Sequence, residues 1–68
     1  IMSVGKVIEV TAESEKGFQE AIEEGISRTS KSVDGIQSAW IKEMKIDVAE
    51  GKITGYRVDM KVTFLVHE

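Results

Sequence analysis

The residues of this chain that could carry chemistry are few, and they form no catalytic pattern. The sequence has no cysteine and a single histidine, His67, next to the last residue. A thiolate metal site is therefore excluded, and one imidazole does not make a multi-histidine site. We also find no glycine-rich phosphate loop and no serine, histidine and aspartate arrangement. The sequence predicts a protein that is not an enzyme.

Trp40, the only tryptophan, is the first candidate for binding. An aromatic side chain in a strand is more often part of a core than a binding surface. Alternation along a strand, however, places polar Ser38 and Lys42 on the same face as Trp40. This pattern favours exposure at an interface or a ligand site, and core packing remains the alternative.

Charged side chains on the last predicted strand and its turn are the second candidates. The flat cation of Arg57 could pair with Asp59 of another chain, or contact an aromatic ring or a phosphate. The oxygen donors closest to the predicted hairpin are Asp47, Glu50 and Asp59. Symmetry-related copies of them could bind a cation, although no calcium-loop pattern is present.

The elements that must position these residues follow from hydrophobic spacing. Residues 4–10 are β-branched and predict a short strand, and a helix is predicted from Phe18 until Asp34-Gly35 ends it. Extended segments at 36–48 and 53–66 flank the turn signal Glu50-Gly51. The predicted order is β-α-β-β, an α+β fold with an antiparallel hairpin formed by the last two strands.

The predicted helix has one apolar stripe with small residues in it. Polar residues 11–14 are the N-cap candidates, and Glu13 and Glu15 are expected near the positive end of the helix dipole. Glycine weakens a helix by about 1 kcal/mol relative to alanine, so Gly25 predicts close packing. The stripe consists of Phe18, Ala21, Ile22, Gly25, Ile26, Thr29 and Val33.

The last strand alternates cleanly, and its length predicts an assembly. Its apolar face is Tyr56, Val58, Met60, Val62, Phe64 and Val66, and its polar face is Arg57, Asp59, Lys61 and Thr63. Fourteen residues at about 3.3 Å each would extend roughly 46 Å, against about 28 Å for a compact domain of this size. The hairpin must therefore bend around the helix or project and pair with neighbouring subunits. Because a chain of 68 residues without disulfides has a small core, oligomerisation is expected in either case.

Composition excludes several other classes of protein. Residues 1–68 suffice for one domain, and we expect Met2 to be the natural start and Ile1 a preceding remnant. The net charge of −3, with basic and acidic residues mixed, gives no nucleic-acid footprint. No apolar run could span a bilayer and no signal peptide is present, so we expect a cytoplasmic protein without a membrane partner.

The combined sequence pattern resembles the dodecins along nearly the whole chain. Four segments carry the resemblance: 5–11 before Ser14, 21–22, 32–36 and, most specifically, the closing run 51–64. The resemblance implies a β-α-β-β protomer whose three-stranded antiparallel sheet wraps around one helix. It further implies a hollow homododecamer in the cytoplasm that stores flavin, with isoalloxazine rings stacked between tryptophans of symmetry-related subunits.

Two positions of this chain depart from the family pattern. Aligned without gaps, the flavin-stacking tryptophan of the family falls on Ser38, with Trp40 two residues further, and the third-strand glutamine falls on Arg57. The resemblance thus implies a flavin site, for FMN or riboflavin, formed by Ser38, Trp40 and Arg57. Arginine at this position resembles the calcium dodecin branch, so a shell that binds calcium or other small solutes and no flavin is the alternative.

Overall fold

The computed structural model describes residues 4–66 and confirms the predicted β-α-β-β order. Strand β1 spans Val4–Ser14, helix α1 Phe18–Ser30, strand β2 Ile36–Ala49 and strand β3 Lys52–Val66. The strands form one antiparallel sheet in the order β1-β3-β2, so the last strand is central. Among residues 4–66, no helix is long and apolar enough to cross a membrane.

The first strand is longer than its sequence predicts, and the helix has a different N-cap. Residues 11–14, predicted as N-cap candidates, continue β1 in register with β3, and Ala12 is buried against Val58 of the core. Gly17 is the N-cap residue and makes no side-chain capping hydrogen bond. Glu13 lies within β1 and not near the helix start, where the acidic residue of the first turn is Glu20. The strand boundary and the cap assignment were therefore wrong.

The apolar stripe of α1 packs against the sheet as predicted. Ala21 and Gly25 are buried, and Phe18, Ile22 and Ile26 are partly buried against the core. A Cβ on Gly25 would lie 2.7 Å from Cε of Met60 and 3.0 Å from Cβ of Ala12. The absence of a side chain at Gly25 is what lets the helix approach the sheet this closely, which confirms the predicted close packing.

The junction between α1 and β2 ends the helix earlier than expected. The helix stops at Ser30, and Gly35 adopts a left-handed backbone with φ of 77°. The carbonyl of Gly35 accepts a hydrogen bond of 3.0 Å from the amide of Leu65, which ties the junction to β3. Gly35 thus serves the entry into β2, and it does not directly terminate the helix.

The hairpin of β2 and β3 is confirmed, with strands of 14 and 15 residues. Its two-residue turn consists of Glu50 (φ 53°) and Gly51 (φ 74°). Positive φ at both central residues is the signature of the type I′ turn, whose twist matches that of the flanking strands. Three register shifts interrupt β2, one of them between Ile41 and Glu43.

The hairpin extends beyond the helix, and its apolar face is uncovered there. Val58, Met60 and Val62 of β3 are fully buried, whereas Met44 and Ile46 of β2, which share their face, are 52% and 41% exposed. Val48 and Ile53, close to the turn, are also exposed. The described residues extend over 55 × 19 × 13 Å, so of the two predicted outcomes the hairpin projects.

Candidate functional site

The candidate site lies on the outer face, which we define as the face of the sheet opposite to α1. It carries the polar residues of β3, which alternate with the buried ones as predicted. The register of β2 with β3 adds residues to this face, among them Ser38 opposite Thr63, Trp40 opposite Lys61, Glu43 opposite Asp59 and Lys45 opposite Arg57. Lys42 lies at the register shift between Ile41 and Glu43, and this shift keeps Glu43 on the outer face.

The side chain of Trp40 lies on this face and is 64% exposed. The Nζ atom of Lys61 is 5.6 Å from the centroid of the indole ring. This is within the range of a cation–π interaction, which contributes about 0.5–1 kcal/mol at exposed sites. The ring is therefore a surface feature of the protomer and not part of its core.

Two further charges flank Trp40. Glu9 of β1 lies opposite Lys61 in the register, but its carboxylate is 3.5 Å from Nζ of Lys42. The position of Lys42 at the register shift places its ammonium within reach of β1 across the central strand. From the sequence, Lys42 is only a polar neighbour of Trp40. Glu9 and Lys61 carry no sign of belonging to the same site, because their proximity depends on strand pairing and register.

Arg57 lies further along β3 and is held by its own chain. Both Nε and Nη2 of Arg57 are 2.7 Å from Oε1 of Glu13, which is its register partner in β1. Four residues separate Arg57 from Lys61 along the strand, about 13 Å. Within the protomer Arg57 is therefore paired with Glu13 and is not adjacent to Trp40, and its pairing with Asp59 of another chain stays a prediction.

Asp59 lies between these two groups. Its Oδ1 atom is buried and has no hydrogen-bond partner among residues 4–66. Its register partners are Thr11 in β1 and Glu43 in β2, so two carboxylates lie directly opposite each other. A cleft of about 280 Å³ is lined by Thr11, Glu43, Lys45, Arg57 and Asp59. Like charges directly opposite in a sheet are destabilising, and a bound cation would relieve the repulsion.

The predicted oxygen donors do not meet within one protomer. Asp47 lies beside Gly55, Glu50 is in the exposed turn, and Asp59 is in the middle of β3. Within residues 4–66, no group of three or more His, Asp or Glu side chains is arranged to hold a metal ion. His67 lies outside the described residues. The outer face therefore combines one exposed indole, Lys61 and an opposed carboxylate pair.

Comparison with known proteins places this arrangement in a family. The chain matches the Dodecin family over residues 4–67. It is 40% identical over 65 residues to calcium dodecin of Mycobacterium tuberculosis, covering 93% of this chain and 89% of that protein. The structure of calcium dodecin from the same organism, described as calcium chelating with a novel calcium-binding site, is 35% identical with a TM-score of 0.81, covering 96% of this chain and 93% of that one.

Two other solved structures share the fold at lower identity. Dodecin from Streptomyces davaonensis has a TM-score of 0.91 at 27% identity and covers 97% of both chains. An arginine-to-alanine variant of Thermus thermophilus dodecin has a TM-score of 0.93 at 27% identity, covering 98% of this chain and 100% of that one. The family match spans the helix and all three strands, including the Trp40 face. The chain belongs to the dodecin family.

Proposed function

We propose that the protein is a non-catalytic storage protein of the cytoplasm that binds a flavin, FMN or riboflavin, at subunit interfaces of a homododecameric shell. The observation that carries the proposal is the exposed Trp40 ring on the outer face. A flat ligand that stacks on an aromatic ring gains about 1–3 kcal/mol. Membership of the dodecin family supports an assembly of this kind.

The shape of the protomer supports a site shared between subunits. One protomer offers an open sheet face, and a ring stacked on Trp40 alone would keep its other side in water. Ligands of this size are normally buried over most of their surface. A second subunit that closes over the ring would complete the burial, and the uncovered apolar part of the hairpin, around Met44 and Ile46, is a surface through which subunits can associate.

Around the stacking surface, Ser38 and Arg57 have different parts in this proposal. Ser38 lies two residues before Trp40 on the same face and is exposed, so its hydroxyl can hydrogen-bond a ligand placed on the ring. Arg57 is held by Glu13 about 13 Å from Lys61, the register partner of Trp40. At this distance it does not reach a ligand stacked on Trp40 of the same protomer, and its part is to hold β1 beside the site through Glu13.

A second candidate function is calcium binding, and one observation favours it. The buried, unpartnered Oδ1 of Asp59 lies in a strand position opposite Glu43, and carboxylate oxygens are the ligands that Ca²⁺ prefers. Because Ca²⁺ takes six to eight oxygen ligands, the two carboxylates of one protomer would need further donors from a neighbouring subunit. The 40% identical relative is named calcium dodecin.

A fluorescence titration tests the flavin function. Flavin fluorescence is followed as protein is added, for the wild type and for Trp40→Ala, with Ser38→Ala as the control on the same face. We expect Trp40→Ala to weaken flavin affinity about ten- to a hundredfold and Ser38→Ala to weaken it only about fivefold. Unchanged affinity in Trp40→Ala would show that the ring is not the stacking surface.

The calcium arm uses thermal unfolding of the same preparations. If the second function holds, the wild type gains thermal stability with Ca²⁺ and not with flavin, and Asp59→Asn loses that gain. A flavin-binding protein that is indifferent to Ca²⁺ would exclude the second function.

A further inference from the structure

Lys61 is a partly buried residue whose ammonium lies over an indole ring and not beside a carboxylate of the described residues. Its register partner in β1 is Glu9, whose carboxylate lies 3.5 Å from Lys42 instead. Within residues 4–66, no carboxylate oxygen lies within 4.0 Å of the Lys61 ammonium. The ammonium lies over the indole of Trp40, 5.6 Å from the ring centroid. Glu9, the cross-strand partner that could neutralise Lys61, thus pairs with Lys42 instead.

This environment leaves Lys61 ready to accept an anion. When a ligand or a second subunit covers a charge and removes water from it, the charge is costly unless it is paired. The cation–π interaction with the indole contributes only about 0.5–1 kcal/mol, whereas a hydrogen bond to a charged group contributes about 1.5–3 kcal/mol. An anionic group brought to the edge of Trp40 would therefore find a cation that is already positioned and not committed to a carboxylate of the described residues.

We propose that Lys61 determines the charge of the ligand, so that the Trp40 site selects flat aromatic molecules that carry an anionic group over neutral ones. The inference rests on the proposed function and makes FMN the preferred flavin. Arg57, the other cation of β3 on this face, is neutralised by Glu13 at 2.7 Å. Lys61 is therefore the specificity-determining residue in place of Arg57.

The charges around Lys61 also orient the ligand. Asp59 and Glu43 lie on the next outer-face row toward the hairpin turn and would repel an anion. The row on the other side holds Ser38 and Thr63, whose hydroxyls are hydrogen-bond donors. The anionic group should accordingly lie over Lys61 toward Ser38 and Thr63, with the ring on Trp40.

The test compares pairs of ligands that differ by one anionic group. FMN and riboflavin form the first pair, and the second is 8-anilinonaphthalene-1-sulfonate with the neutral N-phenyl-1-naphthylamine. The variants are Lys61→Met, which keeps an unbranched apolar chain, Lys61→Arg, which keeps the charge, and Arg57→Met as the matched control. Circular dichroism and the mass in solution verify that each variant folds and assembles.

We expect the wild type to prefer the anionic member of each pair by about tenfold or more. Lys61→Met should lose this preference through weaker binding of the anionic member, with the neutral member unchanged within about twofold. Lys61→Arg and Arg57→Met should both keep the preference, which should fall as salt rises.

Three results would overturn the role of Lys61: no preference in the wild type, a preference that survives in Lys61→Met, or one that is lost in Arg57→Met. If the wild type binds neither flavin, the proposed function fails separately. The naphthalene pair then decides the role of Lys61 alone: a sulfonate preference that Lys61→Met abolishes supports it, and equal or absent binding of both probes refutes it.

Discussion

At the scale of single residues, the helix approaches the sheet closely at Gly25, a position without a side chain. Gly25 of α1 faces the Cε atom of Met60 and the Cβ atom of Ala12 across distances that leave no room for a methyl group. The end of the Met60 side chain is flexible and could move, whereas the Cβ of Ala12 is fixed to the backbone of β1. The approach of the helix is therefore determined by Gly25 and Ala12 together.

We predict that Gly25→Ala lowers the free energy of unfolding by about 1 kcal/mol. Alanine gains about 1 kcal/mol in helix propensity, but overpacking at this contact costs about 1–3 kcal/mol. Chemical denaturation at fixed protein concentration measures the difference, and Ser27→Ala, an exposed position of the same helix, is the control. A net stabilisation by Gly25→Ala would mean that α1 can move away from the sheet at no cost.

At the scale of the element, the hairpin turn contains one residue of an unfavourable type. Glu50 has φ of 53°, where a side chain with a Cβ costs roughly 1–2 kcal/mol, and asparagine tolerates this conformation best among non-glycine residues. Gly51 has φ of 74° with open space around its Cα, so a substitution there meets only backbone strain. Substitutions at Glu50 and Gly51 can therefore be compared directly, because both change the cost of a positive φ.

We predict opposite effects at these two positions. Glu50→Asn should raise the free energy of unfolding by about 0.5–1 kcal/mol, and Gly51→Ala should lower it by about 1 kcal/mol. Thermal unfolding of both variants at equal concentration tests this. If both substitutions act in the same direction, contacts of the turn with another subunit decide its stability, and backbone conformation does not.

Much of the hairpin could be predicted from the sequence, but little of the candidate site could. Glu50-Gly51 between two alternating segments predicted the hairpin because its signals are local. The end of β1 was missed because Thr11 and Ser14 are typical capping residues, and only pairing with β3 makes residues 11–14 a strand. The pairing of Trp40 with Lys61 depends on the register and on the shift at Lys42, neither of which the residue types reveal.

At the scale of the whole molecule, a 55 Å protomer whose hairpin carries uncovered apolar side chains needs partners. We predict that twelve chains of 7.5 kDa associate into a particle of about 90 kDa. Ile46→Asp introduces a charge on the apolar face of the hairpin and should reduce the mass to that of small oligomers. The control is Lys45→Asp, which introduces an aspartate at the preceding position of β2. Its side chain lies on the outer face of the sheet, so the mass should stay unchanged.

Light scattering coupled to size-exclusion chromatography provides both masses. A wild type of monomer or dimer mass would contradict the assembly, and an Ile46→Asp particle of full size would place the subunit contacts elsewhere on the protomer.

The central position of β3 has a consequence for the order in which the chain folds. Among residues 4–66, the largest fully buried side chains, Met60, Val58 and Val62, all belong to β3, and Val4 pairs with Val66, so β1 finds its partners only in a strand that is synthesised later. During synthesis, β1 and α1 leave the ribosome with no strand to pair with and with their apolar stripe exposed. The hairpin, being local, should nucleate folding, and β1 with α1 should dock onto it afterwards. Nascent chains that lack β3 would be substrates for chaperones.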